Sequence, residues 1–130
     1  MNQIIQKLKL TVGLIKIPVK NVELSSAFYQ KYLGFTVEFL ADKFGWATLS
    51  KDDITLGLYE PGKGGGNRTI GGSVDFNFHL SSIENLKDIY EELKEKGVKF
   101  VNQYEISPDG SHFFEIIDPD GNIIKLGAEN

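Results

Sequence analysis

Cysteine is missing from this 130-residue chain, which excludes disulfides, thiolate metal cages and a cysteine nucleophile together. That absence fits a reducing compartment, and the cytoplasm is the expected location. Histidine is nearly as scarce, with only His79 and His112. Long apolar runs are lacking as well. Residues 1–10 alternate apolar side chains with Gln and Lys, unlike the continuous apolar core of a signal peptide, and nothing later approaches the ~20 residues that span a bilayer. A soluble protein with no membrane partner is therefore expected. Nor is charge of one sign concentrated. The 14 basic residues are scattered against 18 acidic ones, for a net charge of −4, so no basic stripe exists to neutralise a nucleic-acid backbone. What remains is 41% hydrophobic residues, enough for the core of a single domain over residues 1–130.

The pattern along the chain is a duplication. Residues 10–19, rich in Leu, Val and Ile and interrupted by Lys16 and Pro18, read as a strand with proline at an edge or near its end. Asn21 then caps a helix carrying Leu24, Ala27, Phe28 and Tyr32 at helical spacing, and Gly34 ends it in the left-handed conformation. Three short β-prone runs follow at 35–40, 44–49 and 54–59. Module one thus covers about 8–60 in the order β-α-β-β-β. Residues 61–73, with six glycines and Ile70 as the one apolar residue, read as a flexible connector.

Module two, 74–127, repeats the order. Its first strand, 74–80, alternates Val74, Phe76, Phe78 and Leu80 with Asp75, Asn77 and His79. A second helix is opened by Ser81 with Glu84 three residues on. Ile83, Leu86, Tyr90 and Leu93 form its buried stripe, and Gly97 closes it. Strands at 99–104, 111–117 and 123–126 complete the module, the last two joined by a turn at Asp118, Pro119, Asp120, Gly121 and Asn122. A repeat of this kind implies an α+β fold of two βαβββ modules, a curved mixed sheet with one helix on one face of each half and a cleft on the other.

Three stretches resemble the vicinal oxygen chelate superfamily, which includes glyoxalase I, extradiol dioxygenases, fosfomycin-resistance enzymes and bleomycin-resistance proteins. They are residues 19–29 continuing to Leu33, Gly34 and Phe35; the second helix running into Lys96, Gly97 and Val98; and the turn at 118–122. Metal-dependent members take His, Gln or Glu from the first and last strands of each module. Carried onto this chain, those positions are Leu14, Gly57, Asp75 and Lys125. Leu and Gly have no donor and a charged ammonium has no lone pair, so the resemblance implies neither a metal nor another cofactor. It also implies that Asp75 and Lys125 are neighbours and could pair. A shift of two residues would bring Lys16 or Asn77 into the set, without restoring a His/Glu cluster.

Other candidates have bland alternatives. His79 and His112 are by default hydrogen-bonded strand histidines rather than a metal pair. Residues 57–63 spell G-x-x-x-x-G-K, but Gly64 replaces the Ser or Thr, and glycines follow where a helix should start, so a phosphate loop is rejected. Trp46, Phe44 and Tyr59 alternate with small or aliphatic neighbours and belong either to the core or to an aromatic cleft wall. Phe76 and Phe78 are expected to face the second helix. Glu115 lies among apolar residues of both parities, leaving its face open.

The expected ligand-contacting set is therefore Trp46, Phe44, Tyr59, Asp75, Asn77, His79, Lys125 and Glu115, with no catalytic residue singled out. The reading is a metal-independent binding protein for a small, partly aromatic ligand, working as a homodimer. A metal-dependent lyase, isomerase or dioxygenase is the alternative, and an inactive interaction module the second.

Overall fold

The computed structural model describes residues 3–71 and 75–129. Val74, the expected start of the fifth strand, and connector positions 72 and 73 lie outside the described residues. The element order is α1 (Gln3–Gln6), β1 (Ile15–Pro18), α2 (Val22–Leu33), β2 (Thr36–Ala41), a 3-10 turn (Asp42–Phe44), β3 (Trp46–Lys51), β4 (Ile54–Tyr59), β5 (Asp75–His79), α3 (Ile83–Glu95), β6 (Phe100–Ile106), β7 (His112–Ile117) and β8 (Ile123–Ala128). The strands form two four-stranded sheets of the same plan, β1-β4-β3-β2 and β5-β8-β7-β6. In each, the first strand of the module pairs parallel with the last, and the remaining pairs are antiparallel.

The helix signals are local and act as expected in α2. Asn21 is extended, with φ −148° and ψ 114°, and its side chain accepts from the Leu24 N–H at 2.9 Å. Gly34 adopts φ 74°, where a side chain would be strained. In α3 the cap falls one residue later than expected. Ser82, not Ser81, is extended and accepts from the Asn85 N–H at 3.1 Å, while Ser81 Oγ accepts from the Asn85 side-chain amide at 2.9 Å. Two consecutive serines made the register ambiguous, and the downstream Asn decides it by using both.

Strand β1 is shorter than its apolar run. It pairs with β4 only from Ile15↔Leu56 to Pro18↔Tyr59, and Leu8, Leu10 and Val12 upstream are exposed. Phe44 leaves the strand expected at 44–49 altogether. It sits in the 3-10 turn that closes on Gly45 at φ 62°, and the residue is 67% exposed.

Each sheet turns one parity of side chains toward the helices. Ile17, Ala47, Leu49, Leu56 and Leu58 from the first sheet and Phe76, Phe114, Ile116, Ile124 and Leu126 from the second belong to one buried cluster with Val22, Tyr29, Leu86 and Leu93. Each fully buried Leu or Ile contributes roughly 1.5–3 kcal/mol, so this shared interior is the main attraction between the modules. Phe76 lies in it and Phe78 packs against it; the two rings stack on each other at 5.2 Å, and their other ring contacts run to the first module, Phe76 to Tyr29 at 6.4 Å and Phe78 to Phe35 at 6.3 Å.

A polar latch reinforces the join. Asp118 and Asp120, both buried, take their hydrogen bonds partly from α2 and the residues before it. The Tyr29 hydroxyl donates to Asp118 at 2.7 Å, Ser25 Oγ to Asp120 at 2.5 Å and the Lys20 N–H to Asp120 at 2.7 Å. Asn122 and the Asp120 N–H supply the other donors to Asp118. Burial beside these carboxylates drives the Tyr29 phenol far above its ordinary pKa, as expected for a hydroxyl held as a donor.

Candidate functional site

The sheet faces turned away from the helices carry the candidate residues. On the first sheet, strand register aligns Lys16 with Gly57, Trp46 with Tyr59 and Thr48 with Gly57. The Trp46 indole donates from Nε1 to Thr48 Oγ1 at 2.8 Å, which lays the ring along the sheet instead of letting it stand upright. The ring passes directly over Gly57. A Cβ at that glycine would come within 2.6 Å of the indole Cη2 and 3.2 Å of Leu14 Cδ1.

Above Trp46 and Tyr59 runs the glycine-rich stretch read from its composition as a flexible connector, and here it packs onto both rings. A Cβ at Gly65 would lie 2.7 Å from Tyr59 Cβ and 3.1 Å from the indole, and one at Gly66 would lie 2.8 Å from the phenol ring. Backbone without side chains can settle onto aromatic faces this closely, and that is the service these glycines perform. The Arg68 N–H donates to the Tyr59 hydroxyl at 3.3 Å, the Gly62 N–H to the Gly66 carbonyl at 3.0 Å, and Lys63 pairs with Glu60 at 2.7 Å. Tyr59 is left 2% exposed. The Lys16 ammonium stands 5.2 Å from its ring centroid.

The second sheet's outer face is wetter. Asp75, Asn77 and His79 are exposed while Phe76 and Phe78 point inward. Register places Asn77, Lys125, Glu115 and Asn102 in one row across four strands. This settles Glu115: Phe114 and Ile116 are buried toward the helices, so Glu115 shares the outer face with Phe113, and its carboxylate accepts from the Asn102 amide.

Asp75 is aligned with Ile123, not with Lys125. The expected Asp75–Lys125 pair is not formed, and the Lys125 ammonium lies over the Phe113 ring, 4.6 Å from its centroid. A cavity of about 190 Å³ gathers Asn77, His79, Lys125 and Phe113, with Asp109, Ser111 and Glu129 at its edge. Asp109 is held below the usual carboxylate range by the Ser111 N–H and hydroxyl, with Lys125 adding to the effect. His112 shares that cavity, and its Nδ1 is engaged by the Tyr104 hydroxyl at 2.6 Å.

The structure therefore brings together Trp46 and Tyr59 on one outer face and Asn77, His79, Lys125 and Glu115 on the other, with Asp75 one step along the latter. Phe44 stands apart on its turn. Sequence reasoning missed Lys16, Thr48 and Gly65 as partners of the aromatic pair. A glycine in mid-strand at Leu56, Gly57 and Leu58 was the available signal of a close approach.

The four positions marked by the resemblance do not suit a metal. Of Leu14, Gly57, Asp75 and Lys125, only Asp75 offers a donor, and the space beside Gly57 is filled by indole. Among the described residues, no three His, Cys, Asp or Glu side chains gather closely enough to hold an ion.

Comparison with known proteins gives a consistent picture. The sequence model of the Glyoxalase/Bleomycin resistance protein/Dioxygenase superfamily matches residues 11–126. A lactoylglutathione lyase from Agrobacterium tumefaciens superposes with a TM-score of 0.78 at 16% identity, covering 93% of this chain and 95% of that one. A glyoxalase/bleomycin resistance protein/dioxygenase from Nocardioides gives 0.76 at 20%, covering 94% and 85%. A superfamily member from Sphaerobacter thermophilus gives 0.74 at 26%, covering 93% and 98%. No curated protein is a significant match. Among the described residues, no helix is long and apolar enough to cross a membrane.

Proposed function

The chain belongs to the Glyoxalase/Bleomycin resistance protein/Dioxygenase superfamily, and on that premise we propose that it is a metal-independent binding protein that sequesters or senses a small, partly aromatic ligand. The observation that carries this reading is the Trp46 indole lying over Gly57. Where metal-dependent relatives would present a carboxylate, this chain presents an aromatic face. A planar ligand can stack on such a face without any ion.

Trp46 is the proposed stacking residue, with Tyr59 buried under the connector as its support and Phe44 a separate aromatic contact on its own turn. Asn77, His79, Lys125, Glu115 and Asp75 are the proposed polar contacts. The working unit in this reading is a cytoplasmic homodimer, which brings the aromatic face of one subunit against the polar face of its partner and covers both.

The test is a thermal-shift screen of untagged protein against aromatic antibiotics, aromatic metabolites and α-keto aldehydes, with metal content measured on the same preparation. A ligand that binds only the folded chain raises the melting temperature, and Trp46→Ala should abolish that rise. Stoichiometric bound Zn, Ni, Mn or Fe would overturn the reading. A second reading, an inactive interaction module, draws support from the covered Tyr59 ring and the packed connector. It predicts that no compound in the screen shifts the melting temperature.

A further inference from the structure

Bordering the second outer face at His79, a groove of about 660 Å³ separates the end of α2 and the β3–β4 turn from the end of β5 and the side of α3. That volume lies within the ~300–1,000 Å³ common to small-molecule sites. The floor is built from Tyr32, Ile54, Phe78, Leu80 and Ile89. All five pack against the buried core and are themselves only half-buried, so the interior of the protein is uncovered along this line.

The rim on the module-one side is cationic. The Lys31 ammonium stands over the Tyr32 ring at 5.2 Å from its centroid. The Lys51 ammonium lies 3.3 Å from where a Cβ on residue 34 would project, a place left free by glycine. Among the described residues the ion pairs are Lys63–Glu60 and Lys96–Glu92. Neither rim lysine belongs to one, and Glu92 on the opposite wall is held by Lys96. Asp52 is the one other carboxylate at the groove. An apolar trough with two ammonium groups at one lip and a single uncommitted carboxylate complements a molecule with a hydrocarbon body and an anionic end.

We propose that this groove binds a single-chain alkyl carboxylate, its hydrocarbon on the floor and its carboxylate between Lys31 and Lys51. The site meets the polar face described above at His79, which lines both cavities; its apolar floor and its lysines lie outside that face and do not depend on its ligand. Affinity should rise about fourfold for each methylene added until the floor is full, as expected for burial of hydrocarbon.

Isothermal titration of the full chain with octanoate and decanoate, both below their micellar concentrations, tests this. One decanoate per chain is expected, bound more tightly than octanoate. The Lys31→Gln/Lys51→Gln double variant should weaken it at least about tenfold, and decyltrimethylammonium should bind at least about tenfold more weakly than decanoate. Lys7→Gln/Lys87→Gln, which removes the same charge elsewhere, should bind decanoate as the parent does. All these lysines are exposed, and circular dichroism melts verify that both variants fold. Absence of saturable binding, equal affinity for the two headgroup charges, or an equal loss in the two double variants would overturn the proposal.

Discussion

The indole of Trp46 occupies the volume into which a side chain at Gly57 would project, 2.6 Å from the place of its Cβ. The two residues sit on adjacent antiparallel strands, where Gly57 is aligned with Thr48, the hydroxyl that anchors the indole. One ring position thus depends on one missing side chain.

Gly57→Glu, which would push a carboxylate into the volume of the indole, should therefore destabilise the chain by about 1–3 kcal/mol through overpacking and should still bind no metal. Adding Trp46→Ala should recover part of that loss. Urea unfolding of the single and double variants checks the coupling, and additive effects would contradict it.

The connector is held down by ring contact, so Gly65→Ala should lift it off Tyr59 and Trp46. The expected readout is faster tryptic cleavage after Lys63 and Arg68, with the rest of the fold intact. Unchanged proteolysis would mean that the connector stays down without glycine at this position.

Tyr29→Phe deletes one donor to the buried Asp118 and leaves the other three in place. A loss of about 1–3 kcal/mol is expected for a buried acceptor deprived of a partner. Ser25→Ala should act similarly on Asp120. If both variants melt like the parent, the inter-module bonds contribute little.

Glu60 joins the start of α2 to the connector, accepting from the Val22 N–H at 3.0 Å and pairing with Lys63. Those contacts, the Lys63 bond first, hold its carboxyl below its ordinary value of 4.5. A depressed acid favours the folded state above its unfolded pKa, and that stabilisation is lost as pH falls through the folded value. Protection of the Val22 amide from hydrogen exchange should thus fall on acidification below about 4.5, ahead of core amides, and Glu60→Gln should remove most of this pH dependence.

Much of the architecture was legible because its signals are local. Asn21 and Gly34 bound a helix through contacts within a few residues, and the same order of elements repeats around Gly97. Phe44 was misread because aromatic alternation continues through it, while the left-handed Gly45 beside it folds the chain into a turn. Residues 10–14 look like strand, but pairing with β4 begins only at Ile15, and in that register β4, which starts at Ile54, has no residue opposite 10–12. The site was less legible for a physical reason. Which face Glu115 takes depends on Phe114 and Ile116 being claimed by the interior, and whether Lys125 meets Asp75 depends on a two-residue register between strands nearly fifty residues apart. The latch was invisible altogether: Asp118 and Asp120 read as turn formers, since nothing in the linear pattern brings Tyr29, Ser25 and Lys20 to them.

That latch has a consequence for how the duplicated chain comes apart. Peeling either copy away leaves two carboxylates without the donors lent by the other, in addition to opening the common interior, so half-melted forms with one copy intact are penalised from both sides. Such a molecule should lose its structure in a single step, and a backbone nick within the connector should leave the two pieces travelling together.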